Sequence, residues 1–514
     1  MRWYLWPIFM SFFGCNAQET SSSVVRSGPP DVILISMDGV RLDRTHFGGN
    51  GNQTTPSLDA ILDESLWFPN AWAQSNESLY SHASLFTGRY VSEIARPEYR
   101  SFVLPDAWSS TGEINTIAEL MVVAGYQSAA FMGGGHISAE FGTAQGFDPF
   151  VEGGDFASFQ SVLQPSIDWM ETQSNDTPLF MFLHGYDAHR PYGHASVFHL
   201  PFDSDYQGEM LELVNYRNAT ELIYRGVFYD VDRVKIRHTT GKQMSDPTAT
   251  YALLEQQGRD VSSGRVLTQE DLNHMAARYD SGVLSADTYV GLFIDFLKSS
   301  GRWDQTLLII TSDHGEDLQT HGFSNHRAVL FDTTTRVPFI LSGGALPESL
   351  RGTQNEALVA AVDLMPTLAD MLQIEAPSGS HGRSLWPLFE SAPIDEKTYV
   401  FQQGVVGQTS VRTHTHRLNF YPPNVELVDE TYFEQMEERP ILDGSFSLYD
   451  LSTDPMEQID ILAQNPHLGM ELRTALVAWS KSLSSGTATH TPSPEASQSM
   501  QRQGYWDASE PASD

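Results

Sequence analysis

Two apolar runs in this sequence end in side chains that can hold a cation. Asp31-Val-Ile-Leu-Ile-Ser-Met37 is followed by Asp38-Gly39, and Leu307 to Thr311 by Ser312-Asp313-His314-Gly315-Glu316-Asp317. If both runs are neighbouring strands of a parallel α/β sheet, their carboxyl ends lie together where ligands gather. Two carboxylates and an imidazole meeting there would form a divalent metal site. Such a cation lowers the pKa of a bound hydroxyl and withdraws charge from an ester oxygen. The segment Asn76 to Arg89, NESLYSHASLFTGR, can supply that hydroxyl. It is polar at its start and apolar afterwards, so it can present Ser78 at a helix N-terminus, where backbone N–H groups favour an anion. Taken singly, each feature has an ordinary reading: Asp-Gly is a turn, and an Asp after a strand is a helix cap.

The elements that must position these residues read as an α/β domain. Besides the two runs above, Gln127 to Met132, Leu179 to His184 and Val337 to Leu341 are short and near-continuously apolar. Strands without polar alternation belong to a parallel sheet covered on both faces. Helical spacing lies between them, at Ile114 to Ala124 and from Thr268 through Tyr279, Val283, Ala286, Val290, Ile294 and Leu297. The expected architecture is a large, mostly parallel sheet flanked by helices, over residues 31–390. Residues 201–267 are polar and too long for a loop, so they read as an insertion near the site. Residues 391–483 change to short strands and a helix at Met470 to Leu483, a smaller C-terminal α+β subdomain. Residues 484–514 are Ser/Thr/Pro-rich and read as a low-complexity tail.

Composition narrows the function classes. The chain has 514 residues, 40% apolar, with 65 acidic against 30 basic side chains and a formal net charge of −35. That field repels nucleic acid, so no nucleic-acid partner is expected. It also repels anionic substrates unless a local positive site, such as a metal, overcomes it. The one cysteine, Cys15, excludes an internal disulfide. Met1-Arg2, an apolar run from Trp3 to Phe13 and then Gly14-Cys15 have the order of an export signal, too short to span a bilayer. Its Gly-Cys end resembles a bacterial lipoprotein signal, which predicts Cys15 as a lipid site, residues 16–30 as a linker and location in the cell envelope. Plain secretion, with Cys15 lost in the cleaved peptide, is the alternative.

The chemistry-bearing segments, taken together, resemble the sulfatase family of the alkaline-phosphatase superfamily. VILISMDGVRLD (Val32 to Asp43) is similar to that family's opening strand and metal aspartate. SLYSHASLFTGR (Ser78 to Arg89) is similar to the signature Cys/Ser-x-Pro-Ser-Arg-x-x-x-Leu-Thr-Gly-Arg. GYQSAAFMGGGH, FLHGYDAHRPY, LIITSDHGEDLQTHGFSNH, TTTRVPFILSG, VDLMPTLADML, GRSLWPL and SLYDLSTDPME follow in family order. The resemblance implies Asp38, Asp313, His314 and Ser78 as ligands of one divalent cation, calcium by family habit, with manganese, zinc or magnesium also compatible. It implies Ser78 as nucleophile, His189 and His326 as groups that bind the anion or serve the leaving oxygen, and His136 as a further catalytic histidine. His82 and His321 would bind substrate, and His184 is read as structural.

Four positions depart from the family pattern. Maturation of the signature residue to formylglycine reads a Pro and an Arg, and Tyr80 and His82 stand there. The second aspartate of the metal pair is Gly39, and the lysine of Lys-x-His is Gly134. Three functions follow as expectations: an exported hydrolase of sulfate esters, which family frequency puts first; a phosphodiester or phosphonate ester hydrolase using unmodified Ser78; or an inactive relative that binds an anion. An unmodified serine favours phosphorus, because a sulfo-serine lacks the elimination route that a formylglycine hydrate provides, whereas a phosphoserine can be resolved by water.

Overall fold

The computed structural model describes residues 28–95, 102–106, 113–190, 192, 202–203, 205–207, 221–224, 227–230, 265–266, 269–318, 320–321, 326–327, 329–405, 407–421 and 445–487. The proposed signal with Cys15, most of the linker and most of the tail lie outside the described residues.

Seventeen strands are described: β1 Asp31–Met37, β2 Leu66–Trp67, β3 Ala71–Trp72, β4 Gln127–Met132, β5 Phe150–Glu152, β6 Leu179–Gly185, β7 Glu221–Tyr224, β8 Val227–Asp230, β9 Arg265–Val266, β10 Thr306–Thr311, β11 Phe339–Ser342, β12 Thr353–Gln354, β13 Val359–Ala360, β14 Val400–Gln403, β15 Thr409–Arg412, β16 His416–Tyr421 and β17 Ser445–Asp450. Eight of them form one sheet in the order β12-β2-β11-β10-β1-β6-β4-β5. The run β10-β1-β6-β4-β5 is parallel throughout. The expected strand at Val337 to Leu341 is β11, and it runs antiparallel to β10.

Alternation along β1 shows why its sequence carries no polar face. Ile33, Ile35 and Met37 enter one core, packed with Met275, Tyr279, Val283 and Val290 of the long helix Gln269–Ser299. Val32 and Leu34 enter a second core with Ile117, Leu120, Leu364 and Leu368 of helices Ile117–Val123 and Leu364–Leu372. Both faces are buried, so the strand is apolar apart from Asp31 at its start, which accepts the Leu179 amide at 3.0 Å, and Ser36 near its end, whose hydroxyl is bonded to His82 at 3.0 Å. Within the insertion, β7, β8 and β9 form a separate antiparallel sheet.

Residues 400–482 build the second unit, an antiparallel sheet in the order β14-β15-β16-β17 covered by helix Pro466–Ser482 through Leu472, Leu476 and Trp479. Charge fastens it to the first unit: Asp332 of the short helix Asp332–Thr335 pairs with Arg412 at 2.7 Å and with the fully buried Arg417 at 2.9 Å. The tail expected from Ser484 starts as packed chain: the Gly486 and Thr487 amides donate to the Ser92 and Ile94 carbonyls at 2.8 and 3.0 Å.

Candidate functional site

Parallel register brings the chemistry together. Ser36 of β1 stands beside Thr311 of β10 on one side and His184 of β6 on the other. The chain leaving β1 therefore places Asp38 next to Asp313-His314 and close to His184. Helix Ser78–Thr87, all ten residues buried, points its N-terminus at the same spot. Glu77 is its cap, accepting the Tyr80 amide at 3.4 Å. Ser78 is its first residue, and its Oγ donates to Asp38 Oδ2 at 3.1 Å and lies 3.2 Å from His314 Nε2.

Hydrogen bonds at the far side of each ring set the tautomers. A carbonyl only accepts, so His314 Nδ1–H donates to the Gly315 carbonyl at 2.8 Å, leaving the Nε2 lone pair facing Ser78. Asp313 Oδ1 accepts the Gly39 and His314 amides at 3.0 and 2.9 Å. Gly39 has φ +70°, a conformation a side chain resists, so this position contributes its N–H instead of a carboxylate.

These side chains fit a divalent cation. Asp38 Oδ1 and Asp313 Oδ2 are buried with no N–H or O–H donor among the described residues. Burial, and then the Asp313 charge, push the Asp38 carboxyl far above its ordinary range. Burial acts on Asp313 in the same sense, but the His314, His82 and His184 imidazoles outweigh it and hold that carboxyl low. Two buried carboxylates this close need a cation to stay ionised together. The Asp38 Oδ2–Ser78 Oγ, Ser78 Oγ–His314 Nε2 and His314 Nε2–Asp313 Oδ2 separations of 3.1, 3.2 and 3.4 Å are the spacings of ligands around one ion.

The remaining predicted histidines fall into two groups. Three lie around Ser78. His326 stacks on His314 at 4.1 Å, its Nδ1 3.3 Å from Glu316 Oε2 and its Nε2 without a partner among the described residues. The His189 ring is 5.9 Å from His326, and its Nδ1–H donates to the Arg190 carbonyl at 2.6 Å. Burial, followed by the His326 charge for His189 and the His314 charge for His326, keeps both imidazoles neutral. His136 is buried in an ion pair with Glu77 Oε1.

His82 and His321 do not face a substrate, contrary to expectation. His82 points into the sheet, donating from Nδ1 to the Ser78 carbonyl at 2.8 Å and accepting from Ser36 Oγ at 3.0 Å. Its place on the helix, four residues on from Ser78, turns it inward. His321 donates from both nitrogens, to Asp317 at 2.6 Å and to the Met456 carbonyl at 2.9 Å, and stacks on Phe331. Burial lowers its pKa but the Asp317 carboxylate more than restores it, so His321 is a structural imidazolium.

Three residues here were given no functional role from sequence. His184, read as structural, is fully buried with Nε2 3.4 Å from Asp38 Oδ2. Its signal was position: it ends an apolar strand as Asp38 does. Glu316, whose carboxyl burial lifts to about 7, sits in the same run as Asp313 and His314. Glu77 precedes Ser78 as an acidic cap.

Comparison with known proteins adds to this geometry. A family model described as Sulfatase matches residues 30–374. N-acetylglucosamine-6-O-sulfatase of Bacteroides thetaiotaomicron is 23% identical, over 85% of this chain and 83% of that protein. A solved structure in complex with D-glucosamine-2-N,6-O-disulfate superposes with a TM-score of 0.62 at 19% identity, covering 88% of this chain and 98% of that one. The phosphonate monoester hydrolase of Agrobacterium radiobacter does so at 0.61 and 18%, covering 88% and 96%. At these identities the structural likeness is one of fold. The family match spans well over half of the chain, and with it this protein belongs to the sulfatase family, as a hydrolase acting on ester bonds.

Proposed function

We propose that this chain is an exported, metal-dependent, sulfatase-type hydrolase that cleaves sulfate esters, with Ser78 at the position of attack. The observation that carries the reading is Ser78 Oγ set between Asp38 Oδ2 and His314 Nε2 at the first turn of a buried helix. Asp38, Asp313, His314 and Ser78 would hold a divalent cation, which when bound withdraws charge from the ester oxygens and acidifies the serine position. His82 fixes the first turn through the Ser78 carbonyl and so aims Oγ. His189 and His326, neutral and buried beside His314, are placed to bind the anion and to exchange a proton with the leaving oxygen and the incoming water. The helix N–H groups favour the transferred anion. The sugar-sulfate specificity of the N-acetylglucosamine-6-O-sulfatase relative supports a sulfated glycan as substrate. Export to the cell envelope rests on residues 1–15, with Cys15 as the proposed lipid site.

A phosphodiester or phosphonate ester is the second reading, favoured by the surroundings of Ser78. Tyr80 packs on Phe102 at 5.4 Å and His82 is committed to Ser36 and the Ser78 carbonyl, so neither place offers the Pro or Arg that formylglycine maturation reads. An imidazole in the ligand set also suits manganese or zinc better than calcium. Peptide mass spectrometry across Ser78, metal analysis and a panel of sulfate, phosphodiester and phosphonate esters decide the matter. Sulfate turnover with Ser78 two hydrogens lighter supports the first reading; phosphodiester turnover with intact serine and no sulfate turnover replaces it with the second. Ser78→Ala should lower turnover on the order of a thousandfold or more. Absence of turnover of every ester, by wild type as by Ser78→Ala, would leave only an inactive anion-binding relative.

A further inference from the structure

His184 is a buried imidazole to which the proposed chemistry gives no task. It stands at the end of β6, on the face that carries Phe180 and Phe182 into the second core. Its partner in the neighbouring strand is Ser36, two residues before Asp38. Rings hold it on three sides: it stacks on Phe182 at 6.2 Å and meets Tyr186 and His82 edge-on at 4.6 and 5.1 Å. The side chain is fully buried, yet neither ring nitrogen has a hydrogen-bond partner among the described residues. Buried polar groups without partners are rare, because the hydration they lose is not replaced. Nε2 lies 3.4 Å from Asp38 Oδ2, the same separation as between His314 Nε2 and Asp313 Oδ2 on the other side of the site.

His82, His184 and Asp313 form a second buried group whose ligand atoms lie within 4.8 Å of one another, and it shares Asp313 with the group of Asp38, Asp313 and His314. His82 is engaged at both nitrogens, by the Ser78 carbonyl and by Ser36, so this group does not make a second cation site. His184 is the member left to join the first. We infer that His184 is a further ligand of the cation, so that two imidazoles, His184 and His314, share it with Asp38, Asp313 and Ser78. The inference rests on the reading that this site takes a divalent cation, and it deepens that reading by naming the kind of ion. Calcium and magnesium prefer oxygen donors, whereas imidazole suits zinc. A donor set with two imidazoles selects zinc over calcium or magnesium.

Full-length protein free of a histidine tag is loaded with one equivalent of zinc, and imidazole scattering in its X-ray absorption spectrum counts the coordinated rings. Two rings are expected for wild type and for His326→Gln. One ring is expected for His184→Phe, which keeps an aromatic ring against Phe182 and Tyr186. Chelator competition should show zinc affinity falling in His184→Phe by at least on the order of tenfold, with calcium affinity changed far less. A single ring in wild type would overturn the inference, since His184 would then only support Asp38 from outside the ligand set. A second ring that persists in His184→Phe, or that disappears in His326→Gln, would overturn it too. The wild-type and His326→Gln spectra are decisive even if His184→Phe does not fold. A protein that binds no divalent cation would sink the metal-dependent reading together with the inference, whereas zinc held by one ring sinks the inference alone.

Discussion

A single imidazole shows how much the partners of a residue decide. His321 stands in an His-Gly pair that resembles a substrate-contacting element, yet it donates to Asp317 and to the Met456 carbonyl, joining the segment after β10 to the C-terminal unit. Its pKa is raised above the ordinary histidine value by Asp317 in spite of burial. A raised folded pKa gives stabilisation that is full below the unfolded value, about 6.5, and lost as pH climbs through the folded value. Urea unfolding of His321→Gln against wild type should therefore show a stability gap that is widest below about pH 6.5 and narrows above it. A gap independent of pH would mean that His321 acts by packing alone. Turnover per folded molecule should be little changed, because His321 does not face Ser78.

Elements meet through Asp332. It opens the short helix Asp332–Thr335 and pairs with Arg412 and Arg417 on strands β15 and β16, while Arg412 also lies 3.8 Å over the Trp72 ring. Removing one member of a buried ion cluster leaves its partners charged and unpaired, at about 3–5 kcal/mol. Asp332→Ala should lose that much in denaturant unfolding, and partial proteolysis should then separate the C-terminal unit before the sheet of β1 and β10. Loss below about 1 kcal/mol would show that the apolar contacts between the units suffice without the charges. On the sheet itself, Leu34→Ala empties a fully buried position in β1 and should cost about 2–5 kcal/mol, read from the same unfolding curves.

Over the whole molecule, a formal charge of −35 opposes the approach of any anion. Repulsion between exposed charges is screened within about 10 Å at 0.1 M salt. The kcat/KM for an anionic ester should therefore rise several-fold as sodium chloride is added from low ionic strength, with kcat nearly constant. A rate that falls with salt would point to a local positive funnel outweighing the net charge.

Much of this fold was legible as local pattern, because a strand buried on both faces must be apolar from end to end. β1, β4, β6 and β10 were found within a residue or so of their bounds, and the long helix showed through its spacing. Asp38, Asp313 and His314 were legible because they follow closely on apolar strands whose ends a parallel sheet collects, and Ser78 because it opens an apolar helix. The inward turn of His82, the commitment of His321, the approach of His184 to Asp38 and the pairing of Glu77 with His136 were not legible. Each depends on register between strands or on residues distant in the chain, from His136 to Met456, and one sequence read along its length does not measure those distances. Sequence determined which side chains reach the carboxyl edge of the sheet; tertiary packing alone decided which of them face Ser78 and which are spent holding it in place.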